Sequence, residues 1–359
     1  TPGLTVREIG VDTNVFDEPE DPKRDFMATV TPDLNLFLRV GVLRVTAASA
    51  ADFTYYREYA EERAVSRQVR LRTDLLLGRL RPWATGAYVQ TRDRLNEELD
   101  RRAPRTGVEY GAGVGFEISP KTRIYVSGAR TGTEFRDGEV FQGVDLTEAF
   151  NRTSEQAQGG IEISLTPFTT LTLTGGVHRD VFDGAPLRDS ESRAAGLVLE
   201  FSPEAVIRGQ LRVGYRDFQP EDPALAPFQG VTASGGLAFT LLGRTRVEVG
   251  GSRDVEYSFE DEEGYFVQSG VDLTVTQRVL GAWDLQVRGG RRWLDYTRPT
   301  EGAGRRQDRV DTIAAGIGYN LRDRSRVGLQ WEYTERGAPL RPDRRYDRQR
   351  IYGSWTYEF

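Results

Sequence analysis

The sequence predicts an all-β chain: a single transmembrane antiparallel up-and-down β-barrel of about 18 strands, spanning residues 1–359 as one domain. Three observations lead there. Apolar and polar residues alternate with a period of two along most of the chain, the pattern of strands with two different faces. Tight turns and long charged loops follow one another in strict alternation. The closing stretch, IYGSWTYEF, keeps the alternation going to the final Phe359.

Composition narrows the choices. Hydrophobic residues make up 38% and charged residues 28% of 359 residues, and no apolar run approaches the length of a spanning helix. A barrel stays open as a solution, because its lumen-facing positions are polar and dilute the average. The opening TPGLTVREIG lacks the charged start and apolar stretch of an export signal, so an exported chain is expected to be seen here in its mature form. The absence of cysteine removes disulfides, thiol nucleophiles and cysteine-based zinc sites together. Lys23 and Lys121 are the only lysines among 48 basic residues; the rest are arginines, which pair bidentately with carboxylate and phosphate. A net charge of -6 with interspersed signs argues against nucleic acid as a partner.

Tight connections fall at 39–44, 77–82, 118–123, 165–170, 201–206, 241–246, 279–283 and 321–326. Pro, Gly, Asp and Ser supply the turn chemistry there. Between them lie nine longer loops, among them FDEPEDPKRD (16–25), RLNEELDRRAPR (94–105), RDGEVFQGVDLTEAF (136–150) and RGAPLRPDRRYD (336–347). Eight turns and nine loops separate 18 strands, with both termini at the turn end. That gives about 20 residues per strand plus connection, which suits tilted spans of roughly 9–11 embedded residues. Outer-membrane barrels have this asymmetry, with short periplasmic turns and long extracellular loops. A β-propeller has a comparable repeat, but neither the Gly-His nor the Trp-Asp signature of its blades is found.

Each strand offers one greasy and one polar face. In 205–216, Ile207, Leu211, Val213 and Tyr215 oppose Arg208, Gln210, Arg212 and Arg216. In 326–336, Val327, Leu329, Trp331 and Tyr333 oppose Arg326, Gln330, Glu332, Thr334 and Arg336. In a barrel of this size the apolar face meets lipid and the polar face a watery lumen.

The C-terminal strand must pair with the first to leave no open edge in hydrocarbon. Trp355, Tyr357 and Phe359 resemble the C-terminal assembly signal of bacterial outer-membrane proteins, which implies the barrel-assembly machinery as a partner. The segment VGYRDFQPEDPALAPFQGVTASGGLAFTLLGRTRVEVGGSRDVEYSF (213–259) resembles the outer-membrane barrels grouped as porin-like family 2. The likeness runs from VDTNVFDEP (11–19) to the last strand. It implies a bacterial outer-membrane location and, since some members are linked to exopolysaccharide secretion, a conduit working with periplasmic export proteins. It brings no catalytic residues.

The candidate pore-lining residues are Arg208, Arg212, Arg216, Glu248, Asp284, Arg288, Arg292, Gln330, Glu332, Arg348 and Arg350, with Glu358 facing them. Opposed charges across a pore set selectivity; charges paired along the wall would merely fill it. Arg130, Arg179, Arg253 and Arg291 each follow a glycine closely and fall on the lipid parity near the outer leaflet. They are candidates to grip lipopolysaccharide phosphates by charge-assisted bonds. A glycine-enabled bulge would instead swing them inward. His178, the only histidine, reads as a lumen-wall residue, and no enzyme activity, cofactor or metal site is expected. The acidic stretches DEPED (17–21) and EDEEG (260–264) read as solvated loop charge rather than calcium ligands. Three functions follow: an exopolysaccharide conduit, a general or anion-selective diffusion porin, or a structural barrel of an envelope complex. A loop such as 137–150 folded inward would close the lumen.

Overall fold

In the computed structural model, which describes residues 1–260, 263–300, 304–322 and 325–358, the chain closes into one 18-stranded antiparallel barrel. The wall comprises β1 (Pro2–Asp12), β2 (Asp25–Val40), β3 (Leu43–Tyr56), β4 (Ala64–Leu75), β5 (Leu80–Thr91), β6 (Arg105–Ser119) and β7 (Thr122–Phe135). A short hairpin, β8 (Val140–Phe141) and β9 (Val144–Asp145), and a one-turn helix α1 (Leu146–Phe150) interrupt the wall. It resumes with β10 (Arg152–Thr166), β11 (Thr169–Phe182), β12 (Ser190–Phe201), β13 (Ile207–Pro220), β14 (Phe228–Leu241) and β15 (Thr245–Tyr257). It ends with β16 (Tyr265–Leu280), β17 (Trp283–Thr300), β18 (Gly304–Arg322), β19 (Ser325–Gly337) and β20 (Tyr346–Glu358). The tight turns lie where the sequence places them; residues 323–324, within the last of these, are outside the described residues, as are 261–262 and 301–303 in two of the long loops.

Sequential strands pair all the way round, and β20 returns to β1 with Gly3 opposite Glu358 and Val6 opposite Trp355. Closure leaves no strand edge that would carry unpaired backbone groups into hydrocarbon. Gly10 is needed at this seam: a Cβ there would sit 1.9 Å from the Ile351 carbonyl oxygen. Just before it the register of β1 slips by one residue, and Glu8 takes φ +58°. The bulge turns Arg7 and Glu8, adjacent in sequence, to the same inner side, where each finds a charged partner on the wall.

The two faces sort as the alternation requires. Ile207, Leu211, Val213 and Tyr215 point outward and stay exposed, as do Leu173, Val177, Val287, Ile317, Leu329 and Trp331. A continuous apolar belt so exposed fits a lipid surround. Trp355 and Tyr357 also lie on the outer parity at the turn end, their rings stacked 6.1 Å apart. A second aromatic pair, Trp283 and Tyr319, packs edge-to-face at 4.8 Å on that rim. Phe359, the last element of the assembly signal, lies outside the described residues.

Candidate functional site: a plugged, charged lumen

The buried apolar residues do not form a wall-filling core; they gather inside the loop end of the barrel. The loop joining β5 to β6 (92–104) turns inward, and Leu99 and Ala103 lose essentially all contact with solvent. They pack with Leu146, Ala149 and Phe150 of α1, with Phe135 at the end of β7, and with Phe259 from the loop after β15. Ring contacts tie the cluster: Phe135 with Phe150 at 5.8 Å and Phe141 with Phe259 at 4.9 Å. Burial of this apolar surface supplies the drive to fold the loops in, at about 25 cal/mol per Å² removed from water.

Polar contacts fix the inward loop in place. Arg336 on β19, wholly buried, donates to the Glu97 carbonyl (3.1 Å) and pairs with Asp100 (3.2 Å) and Asp308 (2.9 Å). Arg344 donates to the Glu98 carbonyl and pairs with Asp100 at 3.0 Å. Asp308 is held in turn by Arg306, whose guanidinium lies 3.8 Å from the ring centre of Tyr296. The Glu98 carboxylate accepts from the Ser258 hydroxyl (2.8 Å) and the Phe259 amide (2.9 Å). Burial pushes the Glu98 carboxyl up to about 6 despite those donors. Asn96 caps the turn, its oxygen accepting from the amides of Glu98 and Leu99. The plug is therefore stapled to strands on the far side of the barrel, not resting in it.

Turnward of the plug the lumen is lined by charge. Arg216 pairs with Asp254 (2.9 Å) and donates to Ser192; Arg350 bridges Glu332 and Glu8. Arg288 and Arg292 flank Asp272 at 3.7 Å each, and Arg292 also reaches Glu97 of the plug at 3.3 Å. Glu248 holds Arg246 at 2.8 Å. Gln330 shares the inner parity of β19. Arg208 and Arg212 point inward and, among the described residues, have no carboxylate partner. Three of the sequence candidates are covered rather than lining open water: Asp284, bonded to Arg326 (2.6 Å) and Asn320, Glu332, and Arg348, paired with Asp12. The side chain of Glu358 is outside the described residues.

His178 faces the lumen, its Nε2 2.9 Å from Asp180. Asp180 also accepts from Ser154 and Tyr257, while Ser192, opposite His178 on the next strand, accepts from Arg216. Ser154 and Tyr257 thus give their hydroxyl protons to Asp180, while Ser192 serves as an acceptor. The stretch 17–21 departs from a simple solvated loop: Asp17 turns inward and pairs with Arg94 and Arg348.

On the outside, Arg130, Arg179, Arg253 and Arg291 keep the lipid parity, because the registers of β7, β10, β11, β15 and β16 run unbroken past them. Arg130 pairs with Glu155 (3.3 Å), and Arg179 lies 3.9 Å from Glu191 and from Glu221. Arg291 holds Asp311, which also takes Arg309 at 2.7 Å. Arg253 donates to Ser269 and has no carboxylate among the described residues. Together they form a charged girdle loopward of the apolar belt.

Sequence reasoning missed the carriers of the plug. Arg336, Arg344 and Asp308 read as wall or loop charge, and nothing local announces contacts with residues more than 200 positions away. Leu95, Leu99 and Ala103, spaced four apart inside a charged loop, were the one available signal.

Known proteins resemble this architecture. A BenF-like porin from Pseudomonas fluorescens Pf-5 superimposes with a TM-score of 0.55 at 11% identity, over 100% of this chain and 98% of that one. OpdK of Pseudomonas aeruginosa, solved with vanillate, gives 0.52 at 12% identity over 99% and 97%. OccAB3 of Acinetobacter baumannii gives 0.53 at 10% identity over 100% and 99%. No curated protein matches the chain. The family model described as "Putative beta-barrel porin 2" matches residues 2–359, and the chain belongs to that family of bacterial outer-membrane β-barrels.

Proposed function

We propose that this protein is a non-enzymatic diffusion porin for small solutes, with the turn end in the periplasm and the long loops outside the cell. One observation carries the reading: the inward loop 92–104 is pinned by Arg336 and Arg344 across a lumen lined with paired charges. An 18-stranded wall encloses an aqueous channel unless something fills it. A fixed internal constriction suits a sieve for small molecules; a sugar polymer needs a continuous wide path. The diffusion reading is therefore favoured over exopolysaccharide export and over a sealed structural barrel. The family to which the chain belongs supports a porin.

Planar-bilayer recording of the refolded protein tests this. Discrete steps of ohmic current in KCl, together with liposome swelling by monosaccharides but not by oligosaccharides, are expected. Absence of any current from inserted, folded protein would favour the structural barrel. Loss of exopolysaccharide in a deletion strain with unchanged solute uptake would restore the export reading.

A further inference from the structure

The plug leaves one arginine unmatched. Arg102, near the end of loop 92–104, faces a cleft of about 410 Å³ between the plug and the wall formed by β20 and β1 to β4. Five more arginines line that cleft, and each is matched to a carboxylate. Arg7 holds Asp52 (3.0 Å), Arg92 holds Glu62 (3.1 Å), Arg94 holds Asp17, Arg348 holds Asp12, and Arg350 holds Glu8 (3.2 Å). Arg102 makes no ion pair and no hydrogen bond among the described residues; its guanidinium lies 5.1 Å from the ring centre of Tyr56. Burial and the nearby Arg348 push this guanidinium down to about 10, and Asp12, Asp17 and Glu8 pull it only partly back. Among the described residues no protein group accepts from this half-buried guanidinium, so its donors are left to water or to an anion that enters the cleft.

We propose that Arg102 anchors the carboxylate of a small organic acid in this cleft, making it a solute-binding subsite beside the constriction. The inference rests on the porin reading and adds a class of solute to it. The guanidinium fork matches a carboxylate bidentately. The cleft lining is mostly polar, with Ala64 and the nearly covered Met27 and Tyr56 as its apolar share, which suits a short organic acid rather than a large apolar one. The neighbouring ion pairs are already matched, so the acid displaces none of them. Its size admits a molecule of a few carbons and not a polymer.

Benzoate serves as the probe. In planar bilayers, millimolar benzoate added to KCl is expected to interrupt the wild-type current in a concentration-dependent manner. Arg102→Gln weakens that block on the order of 10- to 100-fold when each variant is compared with its own benzoate-free current, and Arg102→Lys retains part of it. Titration calorimetry of the detergent-folded protein measures the same affinity without requiring conduction. Equal benzoate affinity in wild type and Arg102→Gln overturns the proposal, and so does no binding of benzoate by the folded wild type. Inorganic phosphate binding as tightly as benzoate overturns the organic-acid assignment. A protein that binds benzoate through Arg102 but passes no current would sink the porin reading and leave the subsite standing.

Discussion

Arg336→Met removes a buried charge while keeping most of the side-chain volume, so any widening of the lumen reflects release of the plug rather than a smaller side chain. Arg336 is wholly buried and joins Asp100 and the Glu97 carbonyl of the plug to Asp308 of the wall. Stripping one partner from a buried ionic group costs about 3–5 kcal/mol. Asp308 keeps Arg306 and Asp100 keeps Arg344, which places this case near the low end. A loss of about 3 kcal/mol shifts the ratio of latched to released loop by roughly 100-fold. The barrel itself closes through backbone pairing round all 18 strands, which the Arg336 side chain does not carry, and should still run as a heat-modifiable band in gels. Single-channel recording should then show larger or rapidly flickering conductance than wild type. A folded Arg336→Met barrel with quiet, unchanged conductance would refute the assignment of Arg336 as the latch.

Three further outcomes are expected. The Glu98 carboxyl sits at about 6 in the plug, against an ordinary 4.5, so the latched form binds a proton more tightly than the released form. Its latching therefore weakens as pH rises from 4.5 through 6, by about 2 kcal/mol in total, and the flicker expected of Arg336→Met at pH 7 should subside at pH 5; adding Glu98→Gln should remove that pH dependence. Gly10→Ala drives a Cβ against the Ile351 carbonyl at the β1–β20 seam, and should lower the folded fraction on refolding into vesicles, whereas Gly132→Ala, with open space around its Cβ, should not. Arg253→Ala should reduce the lipopolysaccharide that co-purifies with the barrel, because Arg253 is the girdle arginine without a carboxylate partner among the described residues; unchanged lipopolysaccharide would remove it from that role.

The wall was legible because its physics is local. Each strand has to satisfy two solvents on alternate residues, and each turn declares itself in a few residues, so 18 strands and their parity could be read from residues such as Ile207 to Arg216 directly. The plug was not legible for the opposite reason. RLNEELDRRAPR is rich in charge and reads as solvated, yet Leu99 is buried and its charges are answered from β17, β19 and the last loop. The bulge at Glu8 was hidden too, since the residue with positive φ is a glutamate and only pairing on both flanks reveals the slip. Among the lumen candidates, parity says which side chains share a face, but it cannot distinguish Arg212, open to the lumen, from Arg348, sealed against Asp12.

Solvent exposure along β13 tests the central claim most directly. The chain has no cysteine, so single Leu211→Cys, Arg212→Cys, Val213→Cys and Gly214→Cys variants can each carry a spin label in lipid vesicles. Outward positions 211 and 213 should collide with dissolved oxygen and be shielded from a water-soluble nickel chelate, and inward positions 212 and 214 should show the reverse. A flat profile, or nickel access at 211 and 213, would contradict a barrel with hydrocarbon outside and water within.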